Sequence, residues 1–256
     1  RAKPTDHYPA GGALLLEPGL GKTLTTLFFL FSTVLPNKPK DVGPVVLVMA
    51  RNCRPVWFDE IRRIANWINQ SLTIATINGS DIDVFSCDFL ITTPNRLAAM
   101  DKDARSATFS PTPGKMDPRR FFATRFCDLV VDEADMLRNG DDTTWWSGIA
   151  AVKRERTWAL TGTPVHKNET DFYNLLLLIG VPTAVSQADF AGTRATMTRR
   201  LTRADVSKDD TSLSLPPCTV HEHVLDFATT EESEAYAQMF TITCAYASLS
   251  SVVAKS

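Results

Sequence analysis

The stretch Glu17-Pro18-Gly19-Leu20-Gly21-Lys22-Thr23 carries the residue types that hold a polyphosphate. Glycines let a tight turn aim several backbone N–H groups at one anion, and a helix N-terminus behind the turn adds partial positive charge. A lysine then supplies the cation for the β- and γ-phosphates, and a hydroxyl supplies an oxygen for Mg²⁺. Gly19, Leu20, Gly21, Lys22 and Thr23 provide each part, flanked by Pro18 and Leu24, between one apolar run at 12–16 and a second that follows. The common form of such a loop has a glycine five residues before Gly21, where Leu16 stands here. The competing reading of these residues alone is an ordinary strand-turn-helix with an incidental lysine.

Two further clusters bear on the choice. Asp132 and Glu133 directly follow four strand-like residues, Asp128 to Val131. A nucleotide-hydrolysing site needs one carboxylate at a strand end for Mg²⁺ and a second to orient the attacking water. Acidic pairs at strand ends are common, so the pair gains meaning from its place roughly 110 residues after Lys22 in an α/β chain. Thr161-Gly162-Thr163-Pro164, after another strand candidate, offers hydroxyls and a tight turn; alone it reads as any β-turn.

These residues need a scaffold. The 256 residues are 44% hydrophobic and 22% charged, which suits a folded domain with a sizeable core. With 27 basic and 29 acidic residues the net charge is -2, so any nucleic-acid surface must be local. Cys53, Cys87, Cys127, Cys218 and Cys244 are widely spaced, which points to reduced intracellular thiols rather than a zinc site or disulfide framework. No apolar run approaches membrane-spanning length, so no membrane partner is expected. Because the chain starts at Arg1 with its glycine loop close behind, a fragment of something longer is expected.

Strands are expected at 12–16, 45–50, 72–77, 88–93, 127–133 and 157–162, and a helix at 22–35 stopped by Pro36. Pro55 opens a second helix whose Phe58, Ile61, Ala65 and Ile68 share one face. The alternation predicts an α/β fold, a three-layer open and mostly parallel sheet. Residues 101–120, with three prolines and a glycine, read as a loop or insertion in which Ser110-Pro111 and Thr112-Pro113 suggest a regulatory or partner-binding role. "SLSLPP" at 212–217 reads as a linker, "TVHEHVLDF" at 219–227 as a strand, and Thr229 with Glu232 as a capping box.

In this order, Glu17 to Thr23, Asp132-Glu133-Ala134-Asp135 and Thr161 to Pro164 resemble motifs I, II and III of superfamily-two helicase ATPases, and more narrowly of Swi/Snf-type DNA translocases. "VLVMARNCRPVWFDEIRRI" (46–64) is similar to motif Ia, and "DFLITTPNRL" (88–97) to the family's Ile-Thr-Thr segment. "VHKNETDFYNLLLLIGVP" looks like the helix after motif III, and "MTRRLTRADV" with "LSLPPCTVHEHVLDFATTEESEAY" like the Arg-rich and Leu-Pro-Pro segments before a second lobe. There are departures: Asp135 stands where remodellers usually carry His, Arg51 where motif Ia usually has Pro, and no adenine-reading glutamine motif is found.

The resemblance implies a RecA-like P-loop lobe at 1–182, an Arg-rich helical segment and linker at 183–217, and a strand and helix at 218–256 leading to a second RecA-like lobe. It implies ATP and Mg²⁺ as cofactors, with Lys22 on the phosphates, Thr23 and Asp132 on the metal, and Glu133 orienting water. Pro18, Gly19, Leu20, Gly21 and Leu24 would complete the ATP-binding loop, while Asp135, Thr161, Gly162 and Thr163 would couple nucleotide state to movement. It further implies double-stranded DNA, chromatin or other DNA-bound proteins as partners, and an intracellular, nuclear setting. Arg51, Asn52, Arg54, Thr92, Thr93 and Asn95 follow two strands at the edge where parallel sheets bind ligands, and suit phosphate contacts. A solvated, helix-capping loop is their plainer reading. Arg194, Arg199, Arg200 and Arg203 form either a basic strip or a solvated helix. Trp145-Trp146 reads as packing, and His221 and His223 as packing or surface residues. A DEAD-box-like RNA helicase lobe and a non-hydrolysing, nucleotide-gated scaffold are the alternatives.

Overall fold

The computed structural model describes residues 11–77, 86–112, 115–137, 140, 143–182, 187–209, 228–239 and 241. Contacts divide the chain into two compact units, Arg1–Ser214 and Leu215–Ser256. Strands β1 (Gly12–Leu16), β2 (Val45–Val48), β3 (Ile74–Thr76), β4 (Phe89–Thr92), β5 (Arg125–Val131), β6 (Lys153–Thr161) and β7 (Thr198–Leu201) form one sheet in the order β3-β4-β2-β5-β6-β1-β7. Every neighbouring pair is parallel.

Alternation along the strands splits the core into two layers. Val45 and Leu47 face helices α1 (Lys22–Phe29) and α2 (Arg54–Trp67), in a cluster with Leu27, Leu30, Trp57 and Ile61. Val46 and Val48 face the other way, in a cluster with Leu97, Phe121, Ile149, Leu175 and Leu176. Those residues belong to α3 (Pro94–Arg105), α4 (Pro118–Ala123), α5 (Thr144–Ala150) and α6 (Glu169–Leu178). Both faces of β2 and β4 are wholly buried, which explains their uninterrupted apolar sequences.

Four expectations change. The first helix is α-helical only to Phe29, then continues as a π turn over Leu30–Val34 and a 3₁₀ turn over Leu35–Asn37 that contains Pro36. The buried face of α2 is Trp57, Ile61, Ile64 and Ala65, while Ile68 is exposed; the helix is rotated so that the large indole goes inward. The span 101–120 is not a single loop, because 101–105 complete α3 and 118–120 begin α4 under an Asp117 cap. Arg119 ties down part of the intervening stretch by donating to the carbonyls of Ser106 (2.8 Å) and Phe109 (3.4 Å). The Arg-rich segment expected as helical contains β7, between α7 (Phe190–Met197) and α8 (Arg203–Asp209). Its pairing with β1 has a physical cause: without it, the strand that feeds the glycine loop would expose a free edge.

In the second unit the helix at 230–239 is described. Its cap is nearly as expected: Thr229 Oγ1 accepts the Glu232 N–H at 3.1 Å, and Glu232 accepts the Ala228 N–H at 2.9 Å. The strand expected at 219–227, the linker at 212–217, and His221 and His223 lie outside the described residues.

A polar cluster braces the middle of the sheet. Asp128 on β5 is fully buried and accepts Nε (2.9 Å) and Nη2 (2.8 Å) of Arg156 and Nε1 of Trp158 (2.6 Å), both on β6. Cys127 donates to the same carboxylate at 3.0 Å, and burial together with Asp128 pushes its thiol pKa up to about 12. Removing one member of a buried pair strands the others. Asp128→Ala should therefore cost about 3 kcal/mol in urea unfolding, and Asp128→Asn, which keeps an acceptor, clearly less.

Candidate functional site

Strands β5, β6 and β1 are adjacent and parallel, so the loops after Val131, Thr161 and Leu16 emerge side by side. The first carries the acidic pair, the second the Thr-Gly-Thr-Pro turn, the third the glycine loop. Gly19 (φ 87°) and Gly21 (φ 76°) are both left-handed, a backbone state that strains any residue with a Cβ. Gly21 caps α1, whose first backbone bond runs from Thr25 N–H to the Gly21 carbonyl at 2.9 Å. The N–H groups of Lys22, Thr23 and Leu24 therefore lie in the first turn, where no intrahelical acceptor exists. Lys22 Nζ donates to the carbonyl of Leu16 at 3.0 Å, so the residue in place of the missing glycine serves the lysine through its backbone.

Residues far along the chain clamp this loop from outside. The Arg203 backbone N–H donates to Glu17 Oε2 at 3.0 Å, and its guanidinium donates to the Pro18 carbonyl at 2.7 Å. Sequence offered no local signal for this contact, which spans 186 and 185 positions. Gly162 packs on the same loop: a Cβ there would meet Pro18 Cδ at 3.0 Å and the Leu16 carbonyl oxygen at 3.3 Å.

The acidic pair is held differently at its two members. Asp132 is buried; its Oδ2 accepts Trp57 Nε1 at 2.8 Å and its Oδ1 accepts the Glu133 N–H at 3.1 Å. Glu133 is exposed and sits at φ 49°, an uncommon state for a residue with a side chain. Partial burial of its carboxyl raises its pKa, as do Asp132 and Asp135, while Lys22 works in the opposite direction. Asp135 gathers the second loop: its oxygens accept Thr161 Oγ1 (3.0 Å) and Thr163 Oγ1 (3.3 Å), and lie 2.9 Å from His166 Nε2. Thr161 Oγ1 also accepts the Thr163 N–H at 3.0 Å. Trp57 and His166 are contributors that sequence reading missed, because an indole on an apolar helix face looks like core and a lone histidine after a turn looks like surface.

The phosphate-contact candidates partly converge. Arg51, Arg54, Thr93 and Asn95 line a cavity of about 520 Å³ with Arg96, Met136 and Trp145. Arg54 Nε and Arg96 Nε are buried with no hydrogen-bond partner among the described residues. Trp145 Nε1 donates to Asn95 Oδ1, so this indole is a partly exposed wall of the cavity, while Trp146 is core. Asn52 is exposed on the neighbouring 3₁₀ turn Arg51–Cys53. Thr93 spends its hydroxyl as the cap of α3, accepting the Arg96 N–H at 3.2 Å. Thr92 must be withdrawn: as the last residue of β4 it points inward and is fully buried, so it cannot touch DNA. The Arg-rich cluster also disperses: Arg194 lies over the Phe190 ring on α7, Arg199 and Arg200 are exposed on β7, and Arg203 serves the glycine loop.

Comparison with known proteins identifies the family and the fold. A family model described as SNF2-related domain matches residues 5–255. The DNA repair protein RAD5 of Yarrowia lipolytica is 27% identical over 188 residues, covering 67% of this chain and 17% of its own length. A transcriptional regulator ATRX homolog of Caenorhabditis elegans is 23% identical over 247 residues, covering 86% of this chain and 18% of its own. The chain thus spans under a fifth of these relatives. Among solved structures, the Sulfolobus solfataricus SWI2/SNF2 ATPase core in complex with dsDNA superposes with a TM-score of 0.58 at 19% identity, over 77% of this chain and 41% of that one. At that identity the likeness establishes the fold, a RecA-like ATPase-core sheet.

The raised pKa of Glu133 has a stability signature with a defined sign. Folding favours its protonated form, so its ionisation costs stability above the native pKa and nothing below the unfolded value of about 4. Glu133→Gln should therefore unfold at a temperature equal to or higher than wild type at pH 7–8, with any gain vanishing as pH falls below about 4 in thermal melts.

Proposed function

The chain belongs to the SNF2-related domain family, and on that premise we propose that it is the first RecA-like lobe of an ATP-dependent translocase on double-stranded DNA. The observation that carries this is the continuous contact among three loops: Gly162 lies against Pro18 and Leu16, and Asp135 accepts hydrogen bonds from Thr161 and Thr163. A nucleotide held by the glycine loop would press on the same turn that the acidic segment grips.

The residues present fit ATP with Mg²⁺. Gly19 and Gly21 adopt backbone states reserved for glycine, and a Cβ on Gly21 would meet nothing within 4 Å, so the loop leaves room for an anion. The amides of Gly19 to Leu24 would bind phosphate oxygens, and Lys22 would leave the Leu16 carbonyl to reach the β- and γ-phosphates. Thr23 and Asp132 would hold Mg²⁺, which neutralises phosphate charge as it develops in the transition state. Glu133, exposed beside Asp132, would orient the attacking water by accepting its hydrogen bond. Asp135 and the Thr161–Thr163 turn would carry the change in phosphate occupancy onward.

On the other side of Asp132, Arg51, Arg54, Asn95 and Arg96 would contact DNA phosphates without reading sequence. A second RecA-like lobe would complete the ATP site, and chromatin or other DNA-bound proteins would be the targets in an intracellular, nuclear setting. Among the described residues no helix is long and apolar enough to cross a membrane.

ATPase assays test this reading. The 256-residue chain alone should bind ATP weakly and turn over poorly, while the two-lobed protein should be stimulated by duplex DNA more than by RNA. In that two-lobed protein Glu133→Gln should lower kcat by about 10²–10³-fold and change ATP affinity by less than about threefold. Greater stimulation by RNA would favour an RNA helicase lobe, and turnover unaffected by Glu133→Gln would defeat the role given to that residue.

A further inference from the structure

Trp57 is almost fully buried, and its Nε1–H donates to Asp132 Oδ2 at 2.8 Å. The same helix begins at Arg54, directly after the 3₁₀ turn Arg51–Cys53, so Trp57 lies one helical turn from Arg54. Arg51 and Arg54 line the cavity beside Asn95, Arg96 and Trp145. The first turn of α2 therefore presents Arg54 to that cavity and the Trp57 indole to the acidic pair. One further contact binds these regions together: Met136, whose N–H donates to the Glu133 carbonyl at 3.0 Å, lines the same cavity. Burial first, then the charges of Asp132 and Glu133, push the Cys53 thiol pKa up, in keeping with this arrangement.

A helix turn moves as a unit, since its backbone bonds are internal. A phosphate that draws Arg54 Nε and Arg96 Nε out of their unpartnered burial would shift the start of α2. The indole would move with it, and Asp132 would follow because its other oxygen is tied, among the described residues, to the adjacent Glu133 amide alone. We propose that Trp57 is a positioning residue that transmits occupancy of the Arg51–Arg54–Arg96 cavity to the carboxylate of Asp132. The inference rests on the nucleotide and DNA roles proposed above, and assigns the route between them. DNA is expected to strengthen Mg²⁺-dependent ATP binding by this route, and reciprocity then requires that Mg²⁺·ATP strengthen DNA binding by the same factor.

Binding of ATP to the two-lobed protein, measured with and without Mg²⁺ and with and without a duplex oligonucleotide, tests this. Two variants remove the N–H: Trp57→Phe, which keeps an aromatic ring but a smaller one, and Trp57 replaced by its benzothiophene isostere, which preserves shape and volume. Both should bind metal-free ATP and duplex as wild type does. Both should lose most of the Mg²⁺ enhancement of ATP affinity, an effect of about tenfold for one hydrogen bond to a charged group. Both should also lose the tightening of Mg²⁺·ATP by duplex. If Trp57→Phe fails to fold, the isostere alone decides. An isostere that retains both effects overturns the inference and leaves Trp57 a packing residue, with the nucleotide and DNA roles intact. A wild-type two-lobed protein that shows neither Mg²⁺ enhancement nor any duplex effect overturns those roles and this inference together.

Discussion

A parallel strand delivers its C-terminal end, and the loop behind it, to the same edge as its neighbours. Every functional contact here depends on that register. In the order β4-β2-β5-β6-β1, the strand bearing Asp132 is central, the strands before the glycine loop and the Thr-Gly-Thr turn lie to one side, and those before Arg51 and Thr93 lie to the other. Asp132 therefore stands at the seam between a phosphate loop and an arginine-lined cavity. Its amide donates to the Val48 carbonyl at 2.9 Å, so even its backbone continues the ladder toward β2. No rearrangement of side chains alone could bring these groups together if one of those strands ran the other way.

The middle of the sheet and its C-terminal edge treat polar groups in opposite ways. Midway along β5, Asp128 meets Arg156, Trp158 and Cys127, and the cluster is satisfied. At the C-terminal edge Glu133 holds a left-handed backbone and a raised pKa, and Arg54 Nε and Arg96 Nε are buried without partners among the described residues. Such groups cost stability where they stand, and a binding edge is where that cost is tolerated; at the two arginines an incoming anion would relieve it. The satisfied cluster makes the sheet rigid enough to hold the unsatisfied edge in shape.

Much of this was legible in the residues. Glycines flanking Leu20, a lysine and a threonine after them, and a carboxylate pair after an apolar run are local patterns whose chemistry follows from residue type and spacing. Uninterrupted apolar strands alternating with helices likewise announced a parallel sheet buried on both faces. The misreadings share a cause. Thr92 and Thr93 are the same residue type in adjacent positions, yet one is buried by strand alternation and the other caps a helix. Thr198–Leu201 looked helical because arginines and threonines give no apolar period; an unpaired edge on β1 decided it.

The sequence by itself thus determined which groups could hold phosphate and metal, since backbone freedom, charge and hydroxyl chemistry belong to individual residues and short spacings. Only the tertiary structure decided what each of those groups touches. The bond from Trp57 to Asp132 joins positions 75 apart, and the clamp of Arg203 on Glu17 joins positions 186 apart. Neither leaves a mark in local pattern, because a buried indole and a surface arginine are chosen by partners that the strand order, not the neighbouring residues, brings within reach.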